Sequence, residues 1–221
     1  LLKECSQLEV ERLLLKIIPN RYFELKKEAY RVEYPEEDGY TLNIILPLFE
    51  KCFRIAFDMT PDEVKKKVTE KFVSILREED RDMVFTYETA FFRAKDLSYL
   101  GAEDILLAKK HLLSRLEQEN TISLPLLQAV EGLGKYLEFR EISNFVDLIV
   151  RTITSPEQPE ELVKAAKDYI VAEFIDLDLY DKKRNKVEKR LDDWIAHFEK
   201  KDKKSFAESL KHLRGLFDVP F

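Results

Sequence analysis

Three histidines, two cysteines and one close pair of glycines are the residues of this chain with the widest chemical reach. Asp193 stands one helical turn before His197, and Glu208 one turn before His212. That spacing can ligate a metal, yet it more commonly makes a solvated pair on a helix surface. No His-Glu-x-x-His occurs. Ala108, Trp194 and Ser209 fill the positions where a carboxylate-bridged di-iron bundle places glutamate before histidine. Asp176-x-Asp178 begins like a calcium loop, but Asp181 sits where glycine is needed and Val187 at the bidentate position. Gly132 and Gly134 lack a preceding strand, a third glycine and a Lys-Ser/Thr ending. They are expected to break a helix or admit close packing, not to cradle phosphate. Cys5 and Cys52 are either two buried thiols or one disulfide, and Cys52 is expected in the core beside Phe49, Phe53 and Ile55. No catalytic, metal or cofactor-binding residue is assigned.

Arg190-Leu-Asp-Asp-Trp-Ile-Ala-His197 sets a guanidinium and an imidazole two turns apart on one helical face. The spacing resembles the Arg-x(4–6)-His motif of HEPN ribonucleases. The resemblance implies that His197 and Arg190 work on a scissile phosphodiester. Leu191 departs from the polar residue that usually follows that arginine.

The same helix carries six positive charges in nine residues: Lys182, Lys183, Arg184, Lys186, Lys189 and Arg190. Such a run can track a phosphate backbone. However, Glu188, Asp192 and Asp193 interrupt it and no aromatics alternate with the lysines, which favours a solvated face or an acidic protein partner. Lys182, Lys183, Lys186, Lys189 and Arg190 are therefore candidate interaction residues. Phe217 and Phe221 join them, because the tail Phe217-Asp-Val-Pro-Phe221 is an apolar end that must pack back or enter a partner.

The elements that would position these residues read as helices almost throughout. Thr60-Pro61-Asp62-Glu63 combines a hydroxyl cap, proline at the first helical position and two carboxylates at the positive helix end. Val64, Val68, Phe72, Ile75 and Leu76 follow on one face, which predicts a helix over 61–77. Similar stripes predict helices over 102–118, from Leu124 after a Ser123 cap, around 142–153, up to about 175, over 181–200, and a last one capped by Asp202. Trp194 is expected to be enclosed, packed with Leu191, Ile195 and Phe198 against Phe206, Leu210 and Leu213. In the first hundred residues, helices over 6–18 and 20–31 are expected to be parted by Pro19-Asn20. A turn-rich loop follows at 34–39, then a helix over 42–57 containing Pro47. Residues 82–95 carry strand-type side chains but suit a helical period better.

Composition fits this reading. With 45% apolar residues, 15 Phe and 9 Tyr, the chain can bury a core, so disorder is excluded. No run is long and apolar enough for a membrane span. The net charge of −6 argues against a general attraction to nucleic acid or anionic lipid. The chain opens on Leu1, which leaves room for a preceding targeting segment and keeps both cytoplasmic and periplasmic locations open.

Helices opening near Ala102, Glu141 and Asp181 are 39 and 40 residues apart, each followed by a second helix. Over 102–217 this resembles a HEAT-like array of helical hairpins. The helical stripes give an all-α chain of about ten helices with an N-terminal part over 1–100, and the resemblance implies stacked hairpins over 101–221 forming an elongated array. A compact antiparallel helical bundle is the alternative. In overall character, charged, rich in Phe and Tyr and wholly helical, the chain is also similar to flagellar coiling or sheath proteins. The expected function is that of a non-catalytic scaffold or structural subunit, joined to another protein or to itself. A HEPN-like ribonuclease or nucleic-acid binder using 182–197, and a flagellar sheath-type protein, are the alternatives.

Overall fold

Apolar residues recurring every three to four positions, with little strict alternation, lead this chain to bury its core with helices. The computed structural model describes residues 6–31, 38–174 and 181–218. Cys5, Phe221, residues 34–37 of the expected loop and the Asp176-x-Asp178 segment lie outside them. Among the described residues there are eleven α-helices and no strand, so the chain is all-α. It divides into two units, residues 1–108 and 109–221.

The first unit comprises α1 (Gln7–Arg12), α2 (Ile18–Arg31), α3 (Asp38–Asp58), α4 (Asp62–Arg77), α5 (Arg81–Ala90) and a 3-10 turn over Ala94–Tyr99. Ser6 and Glu9 form a reciprocal capping box that starts α1. The expected break at Pro19-Asn20 does not occur. Instead, five residues over Leu13–Ile17 wind as a π-helix, and α2 continues through Pro19. Proline has no N–H to return to the carbonyl four residues earlier, here that of Leu15. The Tyr87 hydroxyl donates to that carbonyl from α5 at 3.4 Å. Leu14, Tyr22, Phe53, Phe57, Phe72 and Tyr87 are almost wholly buried and make the centre of this unit.

One local signal in this unit acts differently from expectation, and two expected helices form. Thr60 does not cap α4. Its hydroxyl donates to the Phe57 carbonyl at 2.6 Å and closes α3, while Pro61 takes the N-cap position of α4. Helix, not strand, is present over Arg81–Ala90, and it stops at Phe91. α3 continues through Pro47.

The second unit takes in the latter part of α6 (Ala102–Gln118), then α7 (Leu124–Ala129), a 3-10 turn over Gly134–Tyr136, α8 (Phe139–Ile153), α9 (Glu160–Phe174), α10 (Asp181–Lys200) and α11 (Lys204–Leu216). The Ser123 hydroxyl accepts from the Leu126 N–H, as a cap should. α8 packs on α9 and α10 on α11. α8 also touches α10, and α9 touches α11. Val187, Leu191, Ile195 and Phe198 form the buried stripe of α10, and Ala207, Leu210, Leu213 and Phe217 the buried side opposite. Trp194 departs from expectation. It is half-buried at the edge of that stripe, with its ring 5.5 Å from that of Phe198. Asp202 does not cap α11 either. It adopts a left-handed φ of 54° in the turn after α10, and Lys203 holds the cap position.

Candidate interaction surfaces

The charge run on α10 disperses once folded. Its buried stripe leaves Lys182 and Lys189 exposed, but turns Lys183, Arg184, Lys186 and Arg190 toward neighbouring elements. The Lys183 ammonium donates to the carbonyls of Gly134 and Lys135, at 3.2 Å each. Burial, then the nearby charge of Lys109, lowers its pKa. Lys109 itself pairs with Glu141 at 3.0 Å. Lys186 lies over the Phe139 ring at 5.3 Å. Arg184 pairs with Glu188 at 2.9 Å and donates to the Phe217 carbonyl. Of the two roles open to Phe217, the inward one is realised, since its side chain is fully buried.

Arg190 is the most committed member of the run. Its Nε and Nη2 donate to the two oxygens of Asp147 on α8 at 2.6 and 2.7 Å, and Trp194 Nε1 adds a third bond to Oδ1 at 2.7 Å. The Asp147 hydrogen bond raises the guanidinium pKa further. His197 is exposed, its ring 5.4 Å from that of Trp194. The edge of Arg190 that would hold a phosphodiester is thus occupied by an internal carboxylate. Among the described residues, no cluster of three metal-ligating side chains exists. A cavity of about 270 Å³ between α6 and α8, lined by Leu113, Leu116, Glu117, Asn144, Leu148 and Arg151, falls just below the size of pockets that enclose small ligands.

The glycine pair does cradle an anion, and the anion is the protein's own. Glu173 of α9 accepts from the backbone N–H groups of Gly132 and Gly134 through its two oxygens, the latter at 2.9 Å. Gly132 reaches this geometry with a φ of 83°. A Cβ on Gly134 would stand 2.6 Å from Glu173 Oε2. Tyr169 donates to the Val130 carbonyl at 2.5 Å from the same helix, so the loop after α7 is fastened at two levels. Burial raises the Glu173 pKa, opposed by the two glycine N–H bonds.

In the first unit, Lys26 of α2 stands over the Phe85 ring at 3.6 Å and the Tyr22 ring at 4.8 Å. Burial lowers its pKa to about 8, against the attraction of Glu50 and Glu88. The Tyr22 hydroxyl donates to Glu50.

The feature missed by sequence reasoning is on α3. Cys52 and Ile55 are not in the core. Together with Ile45 and Leu48, and with Met59 in the turn that ends α3, they form an outward stripe spaced 3, 4, 3 and 4 residues apart. Ile45, Leu48, Ile55 and Met59 are 37%, 57%, 52% and 58% exposed, and Cys52 is an exposed free thiol. Phe53, Ala56 and Phe57 meanwhile bury the adjacent face. The signal was present as a helix apolar on more than one side. Single exposed apolar residues are ordinary, whereas a row of them along one helix face is less so.

No family model, curated protein or solved structure matches this chain. Among the described residues, no helix is long and apolar enough to cross a membrane.

Proposed function

We propose that this chain is a non-catalytic helical scaffold or structural subunit that works by docking protein surfaces. The observation that carries this reading is the exposed stripe Ile45, Leu48, Cys52, Ile55 and Met59 on α3. Its 3-4 spacing is that of the seam along which one helix packs on another. Hairpin-on-hairpin neighbours in the second unit, α8 on α10 and α9 on α11, support a HEAT-like organisation there. The commitment of Arg190 to Asp147 weighs against the HEPN-like alternative, and the internal partners of Lys183, Arg184 and Lys186 weigh against a phosphate-tracking groove.

A photo-crosslinking residue placed at Leu48 or Ile55 in the full chain tests this in cells. Protein adducts should form at these positions and not at Lys66, on the exposed side of α4. Equal labelling at all three would remove the case for α3 as a docking face.

A further inference from the structure

Which surface the α3 stripe takes is written in the charges that border it. With Ile45, Cys52 and Met59 at the first core position of a heptad and Leu48 and Ile55 at the second, the exposed residues flanking the seam among the described side chains are Lys51 and Asp58. Both occupy the same flanking position, one heptad apart, with opposite charge. In a parallel pair that position faces the other flank of the partner helix, where Lys51 would meet Ala56. In an antiparallel pair it faces its own equivalent. Layers Cys52 against Ile55 and Leu48 against Met59 then place Lys51 of each chain between them, opposite Asp58 of the other. The two-fold axis repeats this ion pair on both halves of the seam, as an interface between identical surfaces requires.

We propose that the occupant of the α3 stripe is a second copy of this chain, paired antiparallel through α3 about an axis between Cys52 and Ile55. This rests on the reading of α3 as a docking face and adds its partner and orientation. Lys51 is well suited to it, having no ion pair among the described residues. Asp58 already accepts from Arg93 through Oδ2 at 3.0 Å, which fixes its side chain at the rim without burying it. The four side chains of these layers, exposed to this degree, bury roughly 350 Å² per chain, under half of a standard interface. The dimer is accordingly weak and reversible, with association in the micromolar range.

Sedimentation equilibrium of the full chain over about 1–300 μM tests the proposal. Wild type should show a concentration-dependent dimer, and L48E or I55E should remain monomeric with unchanged circular dichroism. K51E, which sets a carboxylate against Asp58 of the other copy, should weaken association about tenfold or more, and added salt should narrow the difference. In a C5A background, a short bismaleimide should join two otherwise unaltered chains through Cys52 and leave L48E unlinked. A strictly monomeric wild type overturns the self-pairing, as does a dimer indifferent to L48E and I55E. A parallel pairing would show as a dimer sensitive to L48E but indifferent to K51E, which also overturns it. If the chain is monomeric while Leu48 still crosslinks to a different protein in cells, the docking reading stands and the self-pairing alone fails.

Discussion

Asp147 and Arg190 meet through two parallel hydrogen bonds of 2.6 and 2.7 Å that tie α8 to α10. The fork geometry matches both guanidinium donors to both carboxylate oxygens, which makes the pair directional as well as attractive. Trp194 shares the same carboxylate at 2.7 Å. Asp147→Ala would leave three partly buried N–H donors without their acceptor and should lower stability by about 1–2 kcal/mol, reduced from the buried-pair figure by partial solvent access. Because Trp194 is the only tryptophan, its emission reports the site directly. Urea unfolding should give the loss and fluorescence a red shift; unchanged emission would mean that the indole bond is not formed.

The glycines make a contrasting pair of substitutions. Gly134→Ala drives a methyl against Glu173 Oε2 and the Phe174 ring, and should destabilise by about 1–3 kcal/mol. Gly215, near the end of α11, has nothing within 4 Å of the place a methyl would take, and Gly215→Ala should stabilise by about 0.5 kcal/mol through helix propensity. Thermal unfolding of both variants checks the sign of each change, and two changes of the same sign would contradict the account.

Glu173 links this loop to pH. Burial raises its folded pKa above the ordinary 4.5, so the folded chain holds this proton more tightly than the unfolded one. The resulting stability is fully present below about 4.5 and is lost as pH rises through the raised folded value. Unfolding free energies of wild type and Glu173→Gln, compared from pH 4 to pH 7.5, should therefore differ by an amount that moves against wild type as pH increases. A constant difference would place Glu173 in water.

Lys26 titrates in the opposite sense. Its folded pKa of about 8 lies below the ordinary 10.5, so the folded state holds the proton more weakly. Stability contributed by the neutral amine is present above about 10.5 and lost as pH falls through about 8. Lysine side-chain NMR should resolve one resonance, removed in Lys26→Arg, that titrates near pH 8. If no lysine resonance titrates near pH 8, the amine is not desolvated.

Helix existence was legible because the periodic stripes of α4, α8 and α10 leave little choice of buried face. What escaped was which of several polar groups a helix end or a loop would recruit. Thr60, Asp202 and the glycine pair each had a plausible local role. For Thr60 and the glycines a partner elsewhere, the Phe57 carbonyl or Glu173, decided the outcome. The α10 lysines escaped for the same reason, since the acceptors of Lys183 lie on a loop some fifty residues earlier in the chain. α3 failed differently: its sequence is apolar on two adjoining sides, and periodicity alone does not reveal which side the rest of the unit covers.

The π-helical turn over Leu13–Ile17 sets the rotational phase of everything that follows it. Val10 and Leu14 before or within it, and Tyr22 and Leu25 after it, are all buried. Rewinding the same residues as ordinary α-helix would swing the downstream segment by about 100° and carry Tyr22 away from Glu50. Losing a single residue inside the wide turn, by contrast, would restore regular winding with both flanks still facing inward. This stretch is therefore a joint at which the chain length can change by one without redirecting the helix, while the same deletion in α4 or α8 would turn a buried stripe toward water.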